Sequence, residues 1–61
     1  MTDYDIVLQM CRLVSHEASV QDILNNAVRD GMVYDDEAGE IGREVGVDWD
    51  PDYDAKDLAY D

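Results

Sequence analysis

The chain has 61 residues, 16 of them acidic against four basic, a formal charge of -12 at neutral pH, and Cys11 as its single cysteine. This length holds one small core near the lower limit of what folds alone, a lone cysteine excludes an internal disulfide framework, and the cations are too few for a nucleic-acid face. Apolar runs such as Ile6–Leu8 fall far short of a membrane span or a signal peptide, and the negative field disfavours anionic membrane surfaces.

Thr2, followed three residues later by Asp5, reads as a capping pair for a first helix over about Asp3–Ser15. Ile6, Val7, Met10, Leu13 and Val14 recur on it at helical spacing. Ser19 and Asp22 repeat the start signal for a second helix over about Val20–Asp30. Its apolar stripe is Val20, Ile23, Leu24, Ala27 and Val28, and Gly31 is a natural left-handed terminator. The short link through His16–Ala18 makes the two helices neighbours.

The middle of the chain supports two readings. As a helix, Asp35 or Asp36 caps it, Ala38, Ile41 and Val45 share a face, Gly46 stops it, and Val47 folds back on Ile41. Gly39 and Gly42 count against that helix, at about 1 kcal/mol each relative to Ala. As a hairpin, Met32–Asp35 and Glu40–Val45 are strands turning at Gly39. The helix is preferred. The fold expected is therefore all-α, a small three-helix domain over 1–47 with an acidic aromatic tail over 48–61, partly packed on the domain or extended. The alternative is α+β, two helices plus a β-hairpin at about 32–45. In the tail, Pro51 pushes Asp50 toward extended backbone. Ala55, Leu58 and Ala59 suit a short helical turn, and Trp49 suits a fold back onto the core. The predicted core is Ile6, Val7, Met10, Leu13, Val20, Ile23, Leu24, Ala27 and Val28, joined by Ile41 and Val45.

Little of the chain resembles catalytic machinery. Cys11 and His16 lie five apart and on different helical faces, so they form no dyad. Cys11 suits the edge of the core, and His16 the end of the first helix. Gly39, Gly42 and Gly46 match no phosphate loop. Asp48, Asp50, Asp52 and Asp54 alternate as in a calcium loop, but either register fails at the required glycine, and Pro51 interrupts it. No enzyme, cofactor or specific metal site is expected.

The charge is lopsided. Met1–Tyr34 carries five acids and two arginines, a net of -3, whereas Asp35–Asp61 carries eleven acids against Arg43 and Lys56, a net of -9. Such a field serves partners, solvent or ions rather than the fold. On a middle helix, Glu37, Glu40 and Glu44 line one side over about 10 Å, a spacing able to imitate part of a phosphate backbone. The Asp50–Asp54 stretch adds carboxylates around Tyr53, groups that suit a groove built for a single nucleic-acid strand. In charge and size the chain is similar to the small acidic DNA mimics found among phage counter-defence and host-takeover proteins. The expected partner is a basic nucleic-acid-binding protein, met through Glu37, Glu40, Glu44, Asp50, Asp52, Tyr53 and Asp54. Direct contact with nucleic acid or membrane is not expected, a second copy of the chain is a further candidate partner, and the expected location is cytoplasmic (host cytoplasm if phage-encoded). Two rival readings are a halophilic domain whose acidity serves solubility and a divalent-cation (calcium) binder.

Overall fold

Three amphipathic segments form three helices: α1 over Tyr4–Leu13, α2 over Glu17–Arg29 and α3 over Asp35–Glu44. The computed structural model describes residues 2–14 and 16–52. Among these there is no strand, so the all-α reading holds, and in place of the hairpin at about 32–45 stand a short loop and α3. Ser15, Tyr53, Asp54 and the turn expected through Ala55, Leu58 and Ala59 lie outside the described residues.

Both glycine stops act as the sequence predicts. Gly31 and Gly46 take positive φ, 76° and 79°. After α2, the Met32 N–H donates to the Ala27 carbonyl at 2.8 Å and the Gly31 N–H to Val28 at 3.1 Å. After α3, the Val47 N–H donates to Gly42 at 2.8 Å and the Gly46 N–H to Arg43 at 3.2 Å. Each end is thus a Schellman motif that satisfies two otherwise orphaned carbonyls and reverses the chain.

The helix starts differ from expectation. Thr2 does not cap α1. Its hydroxyl donates to Glu37 Oε2 at 2.7 Å, and the residue preceding α1 is Asp3, whose own N–H reaches the Met32 carbonyl at 2.8 Å. The chain start is therefore stitched to the α2–α3 loop and to α3. Helix α2 begins at Glu17, with His16 at its cap position, so Ser19 lies inside the helix and His16 marks its start rather than the end of α1. Tyr34, not Asp35 or Asp36, precedes α3; its N–H donates to Glu37 Oε1 at 2.9 Å. The two aspartates instead occupy the first turn, where their charge favours the helix dipole.

Each helix packs against the other two. The buried apolar core is Val7, Cys11, Val20, Leu24, Ala27, Val33, Ala38 and Ile41. Ile23, Val28 and Val45 are partly buried around it, as are Tyr4, Leu8, Val47 and Trp49. Ile6, Met10 and Leu13, placed in the core by their spacing, are instead exposed at 57%, 42% and 85%. Helix α1 carries two apolar lines about 100° apart. The neighbouring helices cover the line through Val7 and Cys11 and leave the other in solvent.

The segment after Gly46 crosses back over the domain in extended form. Val47 and Trp49 face inward, while Asp48 and Asp50 face out. Gln21, 2% exposed, holds this segment with both ends of its amide. Its Nε2 donates to the Asp48 carbonyl at 2.7 Å, and its Oε1 accepts from the Asp50 N–H at 2.9 Å. Trp49 Nε1 donates to Asn25 Oδ1 at 3.0 Å, which satisfies the polar edge of an otherwise apolar ring. Trp49 lies against α3 beside Gly39 and Gly42. Of the two glycines that weaken α3 intrinsically, Gly42 is the one that lets the returning chain approach it.

Candidate protein-interaction surface

The outer side of α3 and the returning segment together form one acidic region. Asp35, Asp36, Glu40 and Glu44 are exposed on α3, and Asp48, Asp50 and Asp52 are exposed beyond it. Between Asp35 and Asp52 the chain has eight acids and a single cation, Arg43. The Gln21 clasp gives Asp48 and Asp50 fixed positions relative to the helices, because their backbone groups are bonded to a buried side chain. Pro51 and an Asx turn shape the next step, with Asp50 Oδ1 accepting from the Asp52 N–H at 2.9 Å.

The three glutamates singled out from the sequence do not have equal freedom. Glu40 is exposed. Glu44 is exposed and lies 3.8 Å from Arg12 on α1. With both side chains about half exposed, that pair contributes only about 0–1 kcal/mol. Glu37 is partly buried and already spent on structure, with one oxygen on Thr2 and the other on the Tyr34 N–H. The glutamates belong to one electrostatic neighbourhood nevertheless. The Tyr4 phenol is held above its ordinary range, first by loss of solvent and then by the carboxylates of Glu40, Glu44, Asp5 and Glu37. Tyr53 and Asp54 lie outside the described residues.

Glu37 has a testable pH signature. The Tyr34 N–H, then the Thr2 hydroxyl, hold its carboxyl below the ordinary glutamate value of 4.5. Its contribution is therefore complete above that value and is lost as pH falls through the lower folded value. The stability difference between the parent and Glu37→Gln should shrink between about pH 7 and about pH 3 in urea melts. A difference independent of pH would mean that the ionised carboxylate is not what holds the start of α3.

Cys11 is 1% exposed, and burial pushes its thiol up, away from the reactive thiolate. His16 is exposed at the other end of the α1–α2 link. No three His, Cys, Asp or Glu side chains among the described residues converge as a metal site, and Asp50 turns one oxygen onto the backbone. No described helix is long and apolar enough to cross a membrane. Comparison with protein-family models, with curated proteins and with solved structures finds no match to this chain.

Sequence reasoning missed Gln21 and Asn25, the two α2 side chains that fasten the acidic segment. One signal was present. Gln21, Leu24 and Val28 follow one another at helical spacing, so a polar residue sits within an apolar stripe. A buried amide there requires a partner with both a donor and an acceptor, and an extended backbone such as the one Pro51 imposes on Asp50 offers both.

Proposed function

We propose that this chain is a non-enzymatic interaction protein that occupies the basic nucleic-acid-binding groove of a partner protein, acting as a mimic of DNA and an inhibitor. The observation that carries the reading is the segregation of charge on a built surface. Eight acids against one cation run from Asp35 to Asp52, on a helix and on a segment clasped to that helix's neighbours. An ordinary solvated face mixes both signs. Carboxylates presented from a fixed scaffold meet a basic groove without ordering a chain first, which removes part of the entropic cost of binding. Glu37, Glu40 and Glu44 span about 10 Å along α3, about three phosphate steps of one DNA strand at 3.4 Å each. The chain needs no cofactor or metal for this role. Its repulsion of phosphate argues against direct nucleic-acid binding. The phage counter-defence setting, with the host cytoplasm as its location, rests on likeness of charge and size.

Within the proposed surface Glu40 and Glu44 are the best probes, because both are exposed and the one contact between them and the rest of the fold, Glu44 with Arg12 on α1, is a weak surface pair. Glu40→Gln with Glu44→Gln should weaken the partner complex about tenfold or more while leaving the helical circular dichroism signal intact or slightly stronger. Fewer like charges then repel in the free domain, and fewer complementary charges meet the groove. A partner captured on immobilised chain and eluted with salt supplies the binding assay. Unchanged affinity together with a raised melting temperature would make the acidity a solubility trait and place the interface elsewhere.

A further inference from the structure

The segment that carries Asp48, Asp50 and Asp52 is joined to the helices by neutral contacts. Every residue of the buried apolar core lies between Val7 and Ile41, so none belongs to residues 47–52. Val47 and Trp49 pack against that core while only partly buried themselves. The Val47 N–H donates to the Gly42 carbonyl at 2.8 Å, the Trp49 indole to Asn25 at 3.0 Å, and the Gln21 amide makes its two bonds between them. Among the described residues no ion pair fastens the segment.

These contacts suit release as well as closure. The Asp48 carbonyl and the Asp50 N–H lie on the same edge of an extended segment, so one amide that meets both sets its register as a neighbouring strand would. The amide is also neutral. When the segment lifts, Gln21 and both backbone groups regain water, so opening leaves no buried polar group unpaired. At the near end Gly46 takes a φ of 79°, with nothing within 4 Å of where its Cβ would stand, which gives the backbone room to turn. The bond from the Asp52 N–H to Asp50 Oδ1 is internal to the segment and survives the movement.

We infer that residues 47–52 are a strap that opens about Gly46 while the three-helix core stays folded, and that Gln21 is the positioning residue that sets its closed population. Closed, the strap presents Asp48 and Asp50 together with Glu40 and Glu44; open, it takes them away. A partner that touches both sets draws on the closed form, and its apparent affinity falls with that population. This control over binding rests on the acidic-groove reading; the opening itself does not.

Amide hydrogen exchange of the full chain, followed by NMR, separates strap from core. The Asp50 N–H and the Trp49 indole N–H report on the strap, and the backbone N–H groups of Leu24 and Ile41 on the core. In the parent the strap reporters should be about tenfold or more less protected, with a weaker dependence on urea, because strap opening exposes less surface than unfolding. Gln21→Met keeps a side chain of similar length without the amide. One net hydrogen bond is worth about fivefold in an equilibrium, so strap exchange should quicken about tenfold or more. The closed form is the starting point for both processes, so core exchange should quicken by the same factor and the gap between the two sets should persist. Gln21→Asn, whose amide stops one methylene short of the clasp, should act in the same direction and serves if Gln21→Met does not fold. Strap and core reporters that exchange together in the parent would overturn the inference. So would a variant whose strap keeps the parent rate while its core quickens, since Gln21 would then brace the helices. Either failure leaves the acidic-groove reading standing, which fails instead if affinity is indifferent to Glu40→Gln with Glu44→Gln.

Discussion

Leu24→Ala should cost about 2–5 kcal/mol, the range for removing a large aliphatic side chain from a core that cannot close over the gap. Leu24 is 0% exposed and lies in the core cluster among residues of all three helices, including Val7, Cys11 and Ile41. A domain of this size has a net stability on the order of 3–5 kcal/mol. The variant should therefore be largely unfolded at 25 °C, read as a lost or strongly shifted urea transition in circular dichroism. The same truncation at Leu13, 85% exposed, should change stability by no more than about 0.5 kcal/mol. Equal effects at the two positions would mean that the line through Val7 and Cys11 is not the face α1 buries.

The second large effect separates two glycines three residues apart in one helix. A Cβ on Gly42 would come within 2.7 Å of the Val47 carbonyl oxygen and 3.3 Å of Trp49 Cβ. The first of these is backbone, held by the bond from the Val47 N–H to the Gly42 carbonyl, so it has little room to yield. Crowding of this kind costs about 1–3 kcal/mol, and exceeds the gain of up to about 1 kcal/mol that Ala brings to a helix interior. A Cβ on Gly39 would meet only Trp49 Cε3 at 3.9 Å, an ordinary contact. Gly39→Ala should accordingly stabilise the domain by up to about 1 kcal/mol, while Gly42→Ala should destabilise it and shift Trp49 fluorescence toward that of an exposed indole. Stabilisation by both substitutions would mean that the returning segment does not press on α3.

The contrast explains which parts of the fold the sequence discloses. Gly31 and Gly46 were legible because a Schellman ending is local: a glycine just beyond an apolar stripe, with an apolar residue after it, specifies the geometry without reference to the rest of the chain. The stripe of α2 was legible for the same reason. Gly42 was misleading because intrinsic propensity penalises it, while its compensation comes from the close approach of Val47 and Trp49, which no helical window includes. Helix α1 offered two apolar lines, and periodicity cannot say which one the neighbours cover. Thr2 looked like a cap because its spacing to Asp5 fits one, yet a carboxylate 35 positions away took its hydroxyl.

The acidic region was legible as composition and only partly as geometry. Glu40 and Glu44 emerged where helical spacing put them, exposed and on one helix. Glu37 proved to be a structural residue as well as a charge, a double role that depends on Thr2 and the Tyr34 N–H converging on it. The placement of Asp48 and Asp50 follows from Gln21, far from them in the chain, and so from tertiary structure alone.

Competition is the most direct measurement of the proposed role. A short fluorescently labelled duplex is first bound to the captured partner, and this chain is then titrated in while anisotropy is followed. Occupation of the basic groove predicts that anisotropy falls to the value of free duplex. It also predicts that the concentration required rises steeply with added salt and rises again for Glu40→Gln with Glu44→Gln. Anisotropy that holds steady or increases would mean that chain, partner and duplex form a ternary complex, and would contradict the account.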